Sequence, residues 1–127
     1  MADRYSKELM KHFTSPQNIG KIENSTLAAT GFNESDGDGV TFYMTVENGT
    51  LRDIKYTIRG CPRAIAASSY TSEVVKGKAI DDILQMDKEQ IFTDLDIDDT
   101  FKCISMPLEA IKEALKDYKT QKQGDSS

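Results

Sequence analysis

The chain has 127 residues, of which 29% are charged and 38% hydrophobic, as expected for one globular domain. Its formal net charge of −5 argues against nucleic-acid binding as the main function. No segment approaches the roughly 18 consecutive apolar residues of a membrane helix, and the charged N-terminal segment lacks a signal-peptide core. We therefore expect no membrane association and a cytoplasmic location, where thiols stay reduced.

The first predicted element is a short amphipathic helix over residues 3 to 13. Pro16 then stops it, because proline disfavours helix in the residue before it. The apolar residues at helical spacing are Tyr5, Leu9, Met10 and Phe13.

Three strands are predicted next, from the segments STLAATGF, VTFYMTV and TLRDIKYTIR. The second and third alternate apolar and polar residues, the pattern of half-buried strands. Asn48-Gly49 between them is a strong signal for a tight hairpin, so these two strands are antiparallel. We expect an antiparallel meander.

Beyond residue 60 the apolar period becomes that of helices. Pro62 suits the first turn of a helix and Gly77 suits its C-terminal cap. AIDDILQM and KEQIFTDL predict two short helices, and DIDDTFK an acidic connection. A last amphipathic helix, with Pro107 near its start, is indicated by Leu108, Ile111, Leu115 and Tyr118.

Strands that come first and helices that come later predict an α+β fold, a three-stranded antiparallel meander sheet packed against several helices. We expect one domain over residues 1–120 and a polar, disordered tail over residues 121–127.

The two cysteines are the first candidates for chemistry. Cys61 lies at the predicted start of one helix and Cys103 just ahead of another, where free N–H groups and the helix dipole favour a thiolate. Lys102 next to Cys103 would support its thiolate further. Burial as a small hydrophobic residue also explains each cysteine alone. It explains less well why both cysteines lie at helix starts.

Asp36 and Asp38 in the loop segment SDGDG are further candidates. A loop rich in Asp and Gly needs no function, which is the default interpretation. His12 is the only histidine, and we expect a structural or capping role for it. Motifs of hydrolases, nucleoside triphosphatases and dinucleotide-binding proteins are absent from the sequence.

Four segments together resemble a known family: HFTSPQNIG, GCPRAIAASS, VVKGK and KCISMPLEAIKEALKDYK. This combination is similar to the iron–sulfur cluster assembly scaffolds of the IscU / NifU N-terminal domain family, over roughly residues 4 to 120. The resemblance implies the SufE/NifU-like α+β fold. It also implies a transient [2Fe–2S] cluster at a site of three cysteines, with an aspartate near the first and a histidine just before the third, and sulfur delivered as persulfide by a cysteine desulfurase.

The match to the family's ligands is incomplete. Cys61 and Cys103 fall on the second and third cysteines, and Asp38 on the aspartate. Asp36 replaces the first cysteine, and Lys102 replaces the histidine. A carboxylate suits Fe²⁺ better than a stable cluster, and a protonated lysine cannot ligate a metal.

The family's chaperone-recognition segment should fall within residues 96–100, which read DIDDT. This departure argues against docking to the dedicated chaperone through that motif. Two cysteines cannot supply four thiolates in one chain, whereas a cluster bridged between two chains in a homo-oligomer could have them.

The leading hypothesis is a divergent scaffold, or a sulfur or iron carrier derived from one, rather than an enzyme. Asp36, Asp38, Cys61 and Cys103 would bind iron or a labile [2Fe–2S] cluster, with zinc as an alternative metal in the isolated protein. The alternatives are a metal-free persulfide acceptor, with sulfur on Cys103 and Lys102 in support, and a degenerate paralogue that binds and regulates a desulfurase.

Overall fold

The computed structural model describes residues 6–33, 37–97 and 102–125, with side chains to residue 121. Within these ranges every strand and helix predicted from the sequence is present. In chain order the elements are α1 (Lys7–Thr14), β1 (Leu27–Asn33), β2 (Asp38–Glu47), β3 (Thr50–Arg59), α2 (Pro62–Val75), α3 (Ile80–Leu84), α4 (Lys88–Leu95) and α5 (Lys102–Asp125).

The sheet is a three-stranded antiparallel meander in the order β1-β2-β3, as predicted. Asn48 and Gly49 form the β2–β3 turn with φ of 51° and 76°, the left-handed values that a type I′ hairpin requires. The register shifts between Thr45 and Val46, which is a β-bulge. The α+β fold class is therefore confirmed.

The core lies between one face of the sheet and the helices. Alternate residues of each strand point inward, and α5 packs against β1 and α2. Gly31 allows this close contact, because an added Cβ would lie 3.1 Å from side-chain atoms of Ala110 and Met106 in α5, which is tighter than most Cβ contacts. The largest fully buried side chains include Tyr56, Phe42, Leu9, Met44, Leu51 and Ile54.

Backbone hydrogen bonds of the VVKGK segment join the C-terminal end of α2 to the β2–β3 hairpin. The Gly77 N–H donates to the Leu51 carbonyl at 2.7 Å, and the Leu51 N–H donates to the Lys78 carbonyl at 2.9 Å. Gly77 has φ of 87°, so the predicted glycine cap is confirmed. These bonds fix the orientation of α2 relative to β3.

His12 joins α1 to α2. It is buried, and its Nδ1 lies 2.7 Å from the Ser69 hydroxyl oxygen, which also accepts the Gln17 N–H at 2.8 Å. The Asn18 side-chain amide donates to the Ser72 hydroxyl at 2.9 Å. Burial lowers the pKa of His12 below its usual 6.5, against the opposing effect of Glu73. The segments HFTSPQNIG and GCPRAIAASS thus contact each other, and His12 has the structural place expected for it.

Two boundaries differ from the predictions. The first helix begins at Lys7, not at residue 3, because Ser6 is its N-cap and accepts the Leu9 N–H through its side chain. The last helix begins well ahead of Pro107, which is its sixth residue. A proline at the sixth position costs the helix one hydrogen bond, because residue 107 has no N–H to donate one turn back.

The predicted tail over residues 121–127 overlaps the last helix, whose backbone continues to Asp125. Residues 98–101, which include most of the DIDDT segment, lie outside the described residues.

Candidate metal and sulfur site

Three chain segments meet at one end of the sheet and bring Asp38, Cys61 and Cys103 together. One ligand atom from each residue lies within 4.8 Å of the other two. Asp38 is the first residue of β2, Cys61 lies between β3 and α2, and Cys103 is in the first turn of α5. Residues far apart in sequence thus form a compact group of two sulfur atoms and one carboxylate.

Asp38 is fully buried, although the sequence analysis placed it in the loop. It belongs to β2, because it pairs with Asn33 at the last position of the β1–β2 ladder. Its Oδ1 accepts the Cys61 N–H at 2.8 Å, and its Oδ2 lies 3.6 Å from the Cys61 Sγ. The loop assignment was wrong because strand pairing extends two residues beyond the apolar pattern that starts at Val40.

Gly60 makes room for this carboxylate. A Cβ at residue 60 would lie 2.6 Å from Asp38 Oδ1 and 3.1 Å from its Cγ, closer than side-chain atoms pack. This role of Gly60 was not predicted from the sequence. A glycine directly before a candidate ligand was the available signal, but its meaning depends on a residue of another strand.

Cys61 is the N-cap of α2, with Pro62 at the first helical position, as predicted. Its backbone is extended, with φ of −73° and ψ of 166°, and its side chain is half-buried. The free N–H groups of the first helical turn face this end, and they favour negative charge on a ligand or sulfur atom there. Cys61 is thus the thiol of the site that solvent can reach.

Cys103 is the buried thiol of the site, with only 1% of its surface exposed. It is the second residue of α5, so the expectation that it lies just ahead of a helix was wrong. Its Sγ lies 3.9 Å from the Cys61 Sγ, and the two residues are thiols rather than a disulfide. Pro107 lacks the N–H that would otherwise donate to the Cys103 carbonyl.

The remaining two candidates are Asp36 and Lys102. Asp36 lies outside the described residues. Lys102 is exposed and lines a groove between α5 and β1 together with Phe32 and Met106.

The donor set fits a thiophilic metal. Two thiolates and one carboxylate suit Fe²⁺ or Zn²⁺, and thiolates are the usual ligands of iron–sulfur clusters. Three protein ligands leave at least one coordination position for a further ligand such as sulfide.

Within the described ranges, no helix is both long and apolar enough to cross a bilayer.

The amino-acid sequence is similar to those of known iron–sulfur cluster assembly scaffold proteins. It is 34% identical over 116 residues to the iron–sulfur cluster assembly scaffold protein IscU 1 of Archaeoglobus fulgidus, covering 90% of this chain and 76% of the relative. It is 34% identical over 128 residues to the IscU scaffold protein of Aquifex aeolicus, covering 98% and 81% of the two chains.

The fold is shared with solved structures. The N-terminal part of a NifU-like protein from Brucella abortus superposes with a TM-score of 0.74 at 18% identity, over 90% of this chain and 93% of that one. Residues 4–125 match the family described as the NifU-like N terminal domain. The chain belongs to this family, the IscU / NifU N-terminal domain proteins.

Proposed function

We propose that this protein is an iron–sulfur cluster assembly scaffold. Asp38, Cys61 and Cys103 would hold iron or a labile [2Fe–2S] cluster as cargo, with sulfur supplied by a cysteine desulfurase. The observation that carries the proposal is the convergence of these three side chains within 4.8 Å at one end of the sheet. The names of the relatives from Archaeoglobus fulgidus and Aquifex aeolicus, both scaffold proteins, support the same role.

The cluster should be easily lost. Only two of its ligands are thiolates, and a carboxylate is a harder ligand that favours Fe²⁺ over a stable cluster. Asp36 is proposed as an additional oxygen ligand, and two thiolates from a second chain would be the other source. Weak retention suits a carrier that passes its cargo on, and this role requires no catalysis by the chain itself.

Sulfur should enter at Cys61. Lys102 next to Cys103 favoured Cys103 as the persulfide acceptor in the sequence. Burial supports the opposite order, because Cys103 is 1% exposed and Cys61 is half-buried at the helix N-terminus. A desulfurase persulfide must reach the accepting thiolate directly, so access decides which thiol reacts first.

Anaerobic reconstitution tests the proposal. The reduced protein is incubated with Fe²⁺, cysteine and a cysteine desulfurase, and visible absorption, iron and acid-labile sulfide are measured. We expect a charge-transfer chromophore that Cys61→Ser and Asp38→Asn abolish or strongly weaken. Asp117→Asn is the matched control, because Asp117 is an exposed carboxylate on α5 away from the site. No chromophore and no bound iron in the unmodified protein would refute the metal-binding role.

A metal-free persulfide carrier is the second candidate, and the half-buried Cys61 thiol favours it. In this case the same incubation gives no chromophore, while intact-mass analysis finds one added sulfur atom on the wild-type chain or on Cys103→Ser. A regulatory paralogue would instead bind the desulfurase equally well after Cys61→Ser/Cys103→Ser. Pull-down of the desulfurase by this double variant, together with the intact-mass measurement of added sulfur, distinguishes the persulfide carrier from the regulatory paralogue.

A further inference from the structure

Cys61 and Cys103 form a close thiol pair of unequal exposure. Their Sγ atoms are 3.9 Å apart, in direct contact, whereas their positions in the sequence are 42 residues apart. Cys61 is half-buried and Cys103 is almost fully buried. A partly exposed thiol next to a shielded one is the arrangement of a reactive and a resolving cysteine.

We propose that this pair releases sulfide from bound sulfane sulfur, with Cys61 as the persulfide carrier and Cys103 as the resolving thiol. The inference rests on the sulfur-accepting step of the proposed function. It adds an activity to that step, because the chain would itself reduce the sulfur that it receives.

The step balances without an external reductant. The Cys103 sulfur attacks the inner sulfur of the Cys61 persulfide, so a Cys61–Cys103 disulfide forms and the sulfur–sulfur bond to the outer atom breaks. The outer sulfur leaves as hydrosulfide, taking the electron pair of the broken bond, and the Cys103 thiol proton balances its charge. The two thiol sulfurs are oxidised to the disulfide, and the sulfane sulfur is reduced to sulfide.

The geometry supports this reaction. Closure from 3.9 Å to the roughly 2.05 Å of a disulfide requires about 2 Å of approach, within the reach of side-chain rotation.

The released sulfide would leave next to Asp38. The Asp38 Oδ2 lies 3.6 Å from the Cys61 Sγ, so an iron ion held by this carboxylate would be adjacent to the departing sulfide. The disulfide must then be reopened before the next cycle, which requires a dithiol reductant of the thioredoxin class. Sulfide release and metal binding by the same thiols would therefore alternate.

A single-turnover experiment tests the inference. Reduced, metal-free protein is loaded with sulfur by a cysteine desulfurase and cysteine and passed into thiol-free buffer. Released sulfide, alkylatable thiols and intact mass are then measured. For the wild type we expect stoichiometric sulfide, loss of both thiols and a mass lower by two hydrogen atoms. Cys103→Ser should instead retain one added sulfur atom on Cys61 and release no sulfide, and Cys103→Ala serves if the serine variant does not fold.

The other outcomes are equally informative. A wild-type protein that keeps the added sulfur and releases none would overturn sulfide release while leaving the proposed sulfur-accepting role intact. If neither the wild type nor Cys103→Ala takes up sulfur, the sulfur-accepting role itself fails, and the inference with it. Sulfide release accompanied by disulfide-linked dimers on a non-reducing gel would also overturn pairing within one chain.

Discussion

Replacing Gly60 with alanine should displace the Asp38 carboxylate from the site. The added Cβ would lie 2.6 Å from Oδ1, and real Cβ contacts stay beyond 3.0 Å, so the carboxylate or the backbone at residue 60 must shift by at least 0.4 Å, and by 0.8 Å to reach an ordinary 3.4 Å contact. A 0.8 Å shift of Oδ1 directly away from the Cys61 N–H lengthens the 2.8 Å hydrogen bond to about 3.6 Å, beyond the range of a hydrogen bond.

The energetic cost follows from the burial of Asp38. A hydrogen bond to a charged group contributes about 1.5–3 kcal/mol, and its loss leaves a fully buried carboxylate without this donor. We therefore expect the free energy of unfolding to fall by about 2 kcal/mol. Misplacing a ligand carboxylate should also weaken metal binding by at least about tenfold.

The assays are urea denaturation, followed by circular dichroism, and anaerobic titration with Co²⁺ as a spectroscopic substitute for Fe²⁺. Gly39→Ala is the matched control, because its Cβ would make only an ordinary 3.6 Å contact with Phe32. We expect this control to bind Co²⁺ like the wild type and to be equally stable. If Gly60→Ala matches the control in both assays, the Asp38 carboxylate does not occupy the position argued for it.

Two further predictions concern the contact between α1 and α2. Burial lowers the pKa of His12, so the unfolded chain binds more protons and the free energy of unfolding should fall as the pH drops below 6.5. Urea denaturation at several pH values should show a weaker pH dependence for His12→Asn than for the wild type. The same pH dependence in both proteins would contradict the argument. Ser69→Ala should cost about 1–3 kcal/mol, because it removes the partner of the buried His12 ring nitrogen and the acceptor of the Gln17 N–H. Ser68→Ala, which deletes a buried hydroxyl with no hydrogen-bond partner in the described part of the chain, should cost clearly less, and equal losses would refute the role of Ser69.

Much of the fold follows from short-range patterns. Alternation in VTFYMTV, the Asn48-Gly49 turn and the 3.6-residue period after Pro62 each depend on neighbouring residues, and each predicted element was confirmed. The boundaries were less certain, because caps and strand pairing decide them. The Ser6 side chain caps the N-terminal end of α1, and pairing with Asn33 makes Asp38 part of the sheet.

The sequence by itself determined the elements, the family resemblance and the residue types of the site. Only the tertiary structure decided that Asp38 faces Cys61, that Gly60 leaves room for its carboxylate, and that the two thiols touch while one is buried. The physical reason is that secondary structure depends on residues a few positions apart. The distances among Asp38, Cys61 and Cys103 depend instead on how α2 and α5 pack against the sheet, and this packing involves the whole core.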